Sequence, residues 1–330
     1  MTRTRTTHDP YLNDPQHWGV SMAQSAELLL PCLDAAGARS VVEIGAYAGD
    51  LTRVLVDWAA DVGARVGAID PSPQPGLVAL AEQHPELELI RATSLDALPE
   101  IPLPDAVIVD GDHNFHTVAE ELRIIGERAP GAELPLLIFH DVCWPHGRRD
   151  DYFDATQIPA ERRHPTLPPG QGIVPGDPGS RPGGLPYPRS AAREGGPGNG
   201  VLTAAEDFAA ANPGVRLAVI PAFFGFGAAW HEEGRGAAEL ERIVGPFDRH
   251  PLLERLEANR VHQLARAYQL QTEQWEAQAR RARQETVLRR LLESSAFGVA
   301  ERLSRLRVKA RIAPGSSVVS KDELRRALDD

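Results

Sequence analysis

A chain of 330 residues, 42% of them hydrophobic, is long enough for one large domain or two modest ones and has the composition of a protein with a packed core. Its formal charge of -11 conceals a division: from Arg249 onward 17 Lys+Arg face 11 Asp+Glu, a net of +6, which leaves -17 on residues 1–248. An acidic body argues against a nucleic-acid substrate, no apolar run approaches the roughly 20 residues of a membrane span, and Cys32 and Cys143 alone make neither a disulfide framework nor a four-cysteine zinc site. The opening MTRTRTTHDPYLNDPQHW has no apolar run behind its basic residues, so no secretory signal is expected and the expected location is the reducing cytoplasm.

Residues 1–37 read as an N-terminal helical or lid segment, in which Tyr11, His17 and Trp18 either cover a ligand or form ordinary surface. A helix over 21–36 is expected to be interrupted near Pro31. Apolar runs then alternate with amphipathic segments. Strands are predicted at Ser40–Ile44, Ala64–Asp70, Leu87–Ala92, Asp105–Asp110 and Leu134–Asp141, with helices at Leu51–Ala60, Gly76–Gln83 and Phe115–Arg128. Short strands such as VVEI, AVIV and LLIF suit a parallel sheet covered on both faces, and the alternation points to a doubly wound α/β sheet.

Residues 164–200 hold 9 Pro and 10 Gly and read as a long insertion, either a functional lid or a disordered loop. A helix at Ala204–Ala211 follows, then strands Arg216–Ala222 and Gly227–His231 meeting at a tight Gly-Phe-Gly turn. The α/β domain thus spans 38–248. Residues 249–330 form a basic helical C-terminal arm, with a heptad-like stripe at Val261, Leu264, Tyr268, Gln271 and Trp275 that continues weakly at Leu288, Leu292, Val299, Leu303 and Leu306. The arm is expected to pack on its own domain or across a homo-oligomer, with binding to an anionic surface as the alternative.

The first strand runs into Glu43-Ile44-Gly45-Ala46-Tyr47-Ala48-Gly49-Asp50, an E-x-G-x-x-x-G turn before a helix. Glycines let backbone turn tightly and approach a ligand, but the missing second glycine of the dinucleotide fingerprint points away from nicotinamide. The second strand ends in Asp70, 27 residues after Glu43, placed to accept ribose hydroxyls. Thr93-Ser94-Leu95 follow the third strand and Asp110-Gly111-Asp112-His113 the fourth. Ligands of open α/β sheets bind at these carboxyl ends.

With these residues in place the sequence resembles the class I S-adenosylmethionine-dependent methyltransferases, clearly over 38–145 and in outline over 200–232. DAVIVDGDHNFHTVAEEL with LLIFHDV is similar to the subset known as methyltransferase domain family 24, which includes antibiotic and sugar O-methyltransferases. The resemblance implies a Rossmann-like, mostly parallel seven-stranded sheet with a C-terminal antiparallel hairpin, and S-adenosyl-L-methionine as cofactor. It implies that Glu43, Gly45, Ala46, Tyr47 and Gly49 surround the methionine moiety. Asp70 would hold the ribose, Ser94 and Leu95 would lie by the adenine, and Asp110 would border the cofactor. The implied reaction is O-methylation of a sugar or natural-product hydroxyl. A catalytically silent scaffold of this fold, or a hydroxylase-like enzyme on it, is the alternative.

Such an acceptor needs alignment and loss of a proton. Asp110, Asp112, His113, His140 and Asp141 gather at the ends of strands four and five, with His116 one helical turn further on. Three readings stay open. His113 or His140 acts as general base beside Asp110; or Asp110 and Asp141, with Asp112 or His140, bind a divalent metal such as magnesium; or the acids and imidazoles only bond to one another. Relatives that bind magnesium carry two acids, or Asp-Asn, where this chain has His140-Asp141. Cys143 and Trp144 are expected to wall the acceptor pocket or pack in the core. Arg148 and Arg149 either clamp an anionic substrate group or lie in a solvated loop.

Overall fold

The computed structural model describes residues 21–312 and 320–323; Tyr11, His17 and Trp18 lie outside the described residues. The strands are β1 (Ser40–Ile44), β2 (Arg65–Ile69), β3 (Leu87–Ile90), β4 (Ala106–Val109), β5 (Leu136–His140), β6 (Val215–Ile220) and β7 (Phe226–His231). They form one seven-stranded sheet in the order β3-β2-β1-β4-β5-β7-β6. β1 to β5 are mutually parallel, and β7 runs antiparallel between β5 and β6. This is the expected α/β architecture, a doubly wound sheet closed by a hairpin. Every residue of β4 and β5 is buried, which is why these strands are apolar throughout rather than alternating.

The helices of the α/β body are α1 (Ala26–Ala36), α2 (Asp50–Val62), α3 (Pro75–Gln83), α4 (Ser94–Ala97), α5 (Phe115–Arg128), α6 (Val201–Ala211) and α7 (Ala237–Val244). One apolar cluster joins α1 and α2 to one face of the sheet through Leu29, Leu33, Leu55 and Val66. The other joins α5 and α6 to the opposite face through Val118, Leu122, Ile125 and Ala204. Asn114 caps α5 by accepting from the Thr117 N–H at 2.9 Å, so the helix begins where the sequence predicts.

Two local expectations need correction. Pro31 lies inside a continuous α1, and the break falls at Ser25, where a 3-10 turn over Met22–Ser25 passes into the α-helix. Burial of Leu29, Cys32, Leu33 and Ala36 around the proline offsets the lost backbone bond. The hairpin turn is not Gly-Phe-Gly: it occupies residues 221–225, and β7 already starts at Phe226. Phe223, Phe224 and Gly225 all take positive φ there. Glu257 holds the turn by accepting from the N–H groups of Phe223 (3.2 Å) and Phe224 (2.8 Å).

Residues 164–200 contain no helix and are pinned by isolated bridges such as Thr166↔Ala191 and Ile173↔Leu185. Leu167, Ile173 and Leu185 form a small core of their own with Trp144, Tyr187, Ala265 and Tyr268. Helix α8 (Pro251–Glu293) and helix α9 (Ser295–Lys309) follow. The chain divides into two compact units, Met1–Tyr268 and Gln269–Asp330, a division that falls within α8. Among the described residues no helix is long and apolar enough to cross a membrane.

Glu257, Ala265 and Tyr268 belong to the first unit and serve its hairpin turn and insertion core. A chain ending at Tyr268 is therefore expected to fold as a cooperative unit. One ending at Arg249 leaves the Phe223 and Phe224 N–H groups without their acceptor and melts lower by roughly 2–5 kcal/mol of stability. Thermal melts of the two truncations check this; equal stability would remove Glu257 from the account.

Candidate active site

Register brings the chemistry together. Ile44 lies beside Ile69 and Val109, and Val109 beside Phe139, so the residues that follow share one sheet edge. The ladder continues one step beyond the strands: Gly45 N–H donates to Ile69 O at 2.9 Å and Asp110 N–H to Ile44 O at 3.0 Å. Gly45 has φ of +87°, and a Cβ there would lie 2.2 Å from the Asp110 carbonyl oxygen. No other residue fits.

The turn after Gly45 is fastened to β2. Tyr47 N–H donates to Asp70 Oδ2 and Ser72 N–H to Asp70 Oδ1, both at 2.7 Å. Each carboxylate oxygen keeps a lone pair for a ligand. The Tyr47 ring is exposed while Ala46 is buried, and Gly49 takes a left-handed φ to start α2. Glu43 is buried and accepts from Thr52 Oγ1 at 2.6 Å. Burial, reinforced by Asp110, Asp70 and Asp50 and opposed by the Thr52 hydroxyl, pushes its carboxyl up to about 8.

Ser94 is buried and Leu95 half-buried at the start of α4. Glu121, on α5, is buried with neither oxygen hydrogen-bonded. Burial lifts it to about 8, the Ser94 hydroxyl opposing the shift without forming a well-aligned bond. The apolar pattern of α5 gave no hint of a neutral acid there.

At the ends of β4 and β5 two acids meet two imidazoles. His140 Nδ1 lies 3.0 Å from Asp110 Oδ1 and 3.3 Å from Asp141 Oδ2, and His140 Nε2 lies 3.1 Å from the Phe223 carbonyl oxygen. His113 Nε2 lies 3.4 Å from both Asp110 Oδ1 and Asp141 Oδ2. Burial works against charge on all four groups, but their mutual attraction outweighs it. Asp110 and Asp141 are held below the usual carboxylate range, His113 is raised to about 9 and His140 well above its ordinary value. Asp141 takes a positive φ, 55°, to turn into this cluster.

Asp112 is drawn elsewhere, accepting from Phe153 N–H at 2.8 Å and from Thr117 Oγ1 at 3.1 Å. The metal-competent trio is therefore Asp110, His140 and Asp141, whose ligand atoms lie within 4.8 Å of one another. His116 makes no contact with it among the bonds described. Two carboxylates that already draw positive charge between them fit a divalent cation.

A cavity of about 280 Å³ opens beside the cluster, lined by Asp112, His113, Asp141, His146, Tyr187 and Phe224 among others. His146 stacks on His113 at 5.3 Å and meets the Tyr187 ring edge-on at 5.2 Å. Burial holds His146 below its ordinary value, and its Nδ1 has no hydrogen-bond partner. Sequence reasoning passed over both residues: His146 stood in a stretch read for its arginines, Tyr187 in the Pro/Gly-rich insertion. Cys143 and Trp144 line a different cavity, with Arg148 and Glu206, and burial pushes the Cys143 thiol up to about 12. Neither arginine faces the first cavity: Arg148 pairs with Glu206 at 2.7 Å, and buried Arg149 donates to the carbonyls of Ala191, Pro178 and Gly179.

Residues 42–142 match the family model described as a methyltransferase domain. Among solved structures, the chain is similar to the SAH-bound methyltransferase PaMTH1 of Podospora anserina, with 14% identity, a TM-score of 0.40, and 66% of this chain and 82% of that one covered. It is similar also to the O-methyltransferase of Bacillus cereus in complex with SAH, with 15% identity, a TM-score of 0.39, and coverage of 69% and 93%. No curated protein sequence matches the chain.

The neutral state of Glu121 has a thermodynamic signature. Its folded value of about 8 stands above the ordinary 4.5, so between these limits the unfolded chain releases a proton that the folded one keeps, and stability falls as pH rises. Glu121→Gln removes that loss. The variant is expected to gain on the order of a few kcal/mol over the wild type at pH 8, with the gap closing toward pH 5. Melting curves at the two pH values decide; a gap independent of pH means Glu121 is ionised in the fold.

Proposed function

We propose that this chain, whose residues 42–142 match a methyltransferase-domain model and whose seven-stranded sheet has the order β3-β2-β1-β4-β5-β7-β6, transfers the methyl group of S-adenosylmethionine to a hydroxyl of a small-molecule acceptor. The observation that carries this reading is the placement of a tethered carboxylate, Asp70, beside a glycine turn on one side of Asp110, and a charged cluster with its own cavity on the other. A cofactor cradle and an acceptor chamber then share the Gly45–Asp110 contact.

The residues suit the cofactor. The open lone pairs of Asp70 accept the ribose diol, and the turn from Gly45 to Gly49 gives close backbone approach to the methionine moiety. Glu43 lies beneath that turn, and arrival of the cofactor's positive charge favours its ionised form. Ser94 and Leu95 border the adenine.

Methyl transfer forms an O–C bond as the S–C bond breaks, leaving S-adenosylhomocysteine, and the acceptor's proton must go elsewhere. His140 is buried with both nitrogens engaged, so it orients its neighbours, whereas His113 and Asp141 face the cavity where an acceptor hydroxyl would lie. The carboxylates of Asp110 and Asp141 raise both imidazoles above their ordinary range. The ligand atoms of Asp110, His140 and Asp141, all within 4.8 Å of one another, favour a divalent cation there over a bare histidine base. When bound, it supplies a lowered pKa for the acceptor hydroxyl. The cavity's mixture of acids, imidazoles, Tyr187 and Phe224 suits a polar acceptor with an apolar face, such as a sugar-bearing natural product. The exposed Val299, Leu303 and Leu306 of α9 support self-association through the arm.

Two measurements test this. Incubation of the full chain with S-adenosylmethionine and a panel of hydroxylated acceptors is expected to release S-adenosylhomocysteine; a chain that binds the cofactor but methylates none of the panel would favour the silent scaffold. Asp70→Ala is expected to weaken S-adenosylhomocysteine binding by at least about 10-fold, since each bond to a charged acceptor is worth roughly 1.5–3 kcal/mol. Asp70→Asn, which keeps one acceptor oxygen, should fall between. An unchanged dissociation constant in both variants takes Asp70 out of the cofactor site.

A further inference from the structure

The acceptor's proton needs a group to receive it. Lowering a hydroxyl's pKa frees the proton without holding it, so a base has to stand in the cavity itself. Seven titratable residues line that cavity, and their partners separate them. Asp112 is spent on the Phe153 N–H and the Thr117 hydroxyl, and Asp151 accepts from Ser190 Oγ at 2.7 Å. Against the effect of burial, His113 and His140 hold Asp141 below the carboxylate range, and the acids around His113 raise it to about 9. Burial keeps the Tyr187 phenol above its ordinary value. Arg189, which donates to the Phe153 carbonyl oxygen at 2.9 Å, has no lone pair to offer.

His146 differs from the other six. It is buried, and neither ring nitrogen takes part in a hydrogen bond or ion pair among the described residues. The Arg149 backbone draws on the ring without forming a well-aligned bond. A buried polar atom left unbonded weakens a fold, so its retention points to a ligand. Of the residues with such an atom, Glu121, Trp144, His146 and Arg149, it is the one that lines this cavity. It also stands where the hydroxyl would. Its ring stacks on His113 at 5.3 Å, and His113 Nε2 lies 3.4 Å from Asp141 Oδ2. With hydrogen bonds of about 2.7–3.2 Å, an oxygen lodged between the two rings is within reach of both.

We infer that His146 is the base that takes the proton of the acceptor hydroxyl. The inference rests on the methyl-transfer reading above and adds the proton's destination. A lone pair of the hydroxyl oxygen forms the O–C bond and the S–C pair withdraws to sulfur. The O–H pair stays on oxygen, and the proton passes to an unshared pair of the imidazole. The surroundings suit a ring that is neutral at rest and charged only in passing. Burial holds His146 below its ordinary value; His113 adds to this, and Asp141, Asp151 and the Arg149 backbone oppose it. The two carboxylates then offset the charge of the imidazolium once it forms. The ring is held in place as well: the His146 carbonyl accepts from Val201 N–H at 3.0 Å at the head of α6, and Tyr187 meets the ring edge-on at 5.2 Å.

The test measures S-adenosylhomocysteine release by the full chain with the panel of hydroxylated acceptors, across the pH range in which imidazoles titrate. His146→Ala and His146→Gln are expected to lower kcat by about 10²–10⁴-fold and to leave the dissociation constant of S-adenosylhomocysteine unchanged. The wild-type rate is expected to rise with pH through a value below 6.5, because the base works only when unprotonated. Both variants should lose that limb, and added imidazole should restore turnover to His146→Ala. Nitrogen NMR of the wild-type protein reads the same group without catalysis: the His146 ring should titrate below 6.5. Variants folded by circular dichroism with full turnover, a limb that survives in them, absence of rescue, or a His146 ring that titrates above 6.5 would each overturn the inference. A wild type that releases no S-adenosylhomocysteine overturns the methyl-transfer reading and this one with it, whereas failure confined to the variants or the titration overturns this one alone.

Discussion

The close approach of two backbones, Gly45 at the end of β1 and Asp110-Gly111 at the end of β4, governs the rest of the site. A Cβ at Gly45 would stand 2.2 Å from the Asp110 carbonyl oxygen and 2.4 Å from the Gly111 Cα, so the contact exists only because residue 45 has no side chain and takes a left-handed φ. Parallel register makes the contact unavoidable, since Ile44 is paired with both Ile69 and Val109. The turn that leaves Gly45 is then tied to β2 through Asp70, and the strand that leaves Asp110 opens on β5. One glycine thereby sets the distance between the proposed cofactor cradle and the charged cluster.

Around that contact four acids, three buried and Asp110 half-buried, meet two different fates, decided by their neighbours. Asp110 and Asp141 share two imidazoles and are driven below the ordinary range; Glu43 and Glu121 face a hydroxyl and other acids and are driven up to about 8. Burial pushes every one of them the same way, so the difference lies in the partner. Ionised carboxylates paired with imidazoles thus stand at the β4–β5 edge, and neutral acids under the β1 turn and in α5.

Much of this was legible before the structure. VVEI, AVIV and LLIF announced buried parallel strands because β-branched and large apolar residues run without alternation, and the acids fell at strand ends because the apolar runs stop there. The same logic located Asp70, Asp110 and Asp141 on one edge. What it could not do was choose partners across the sheet: nothing in the spacing says that His140 meets Asp110 while Asp112 turns to Phe153 and Thr117. Pro31 misled because propensity registers the lost N–H but not the burial around it. The hairpin turn misled because Gly225 and Gly227 outweighed Pro221, and the acid that stabilises the true turn, Glu257, lies in a helix distant in sequence.

The largest gap was the Pro/Gly-rich insertion, and its structure explains why composition misjudged it. A segment with so little apolar surface cannot order itself by burial, and its core of Leu167, Ile173 and Leu185 is small. It is fastened instead by buried charged side chains spent on backbone groups. Arg149 donates to three carbonyls, at 2.6, 3.1 and 3.2 Å, within the insertion. Asp150 accepts from the N–H groups of Phe115 (2.8 Å) and Gly200 (2.7 Å), which ties the start of α5 to the end of the insertion. Bonds to charged groups are stronger than neutral ones, and breaking a buried one leaves the charge unsolvated, so such a wall holds its shape although it has no sheet or helix of its own. Tyr187 and Arg189 line the cavity from that wall, so this side of the cavity is fixed by Arg149 and Asp150 rather than by a loop free to mould itself. On the function proposed above, selectivity for the acceptor would lie in the insertion, and methyl transfer at the sheet edge beneath it.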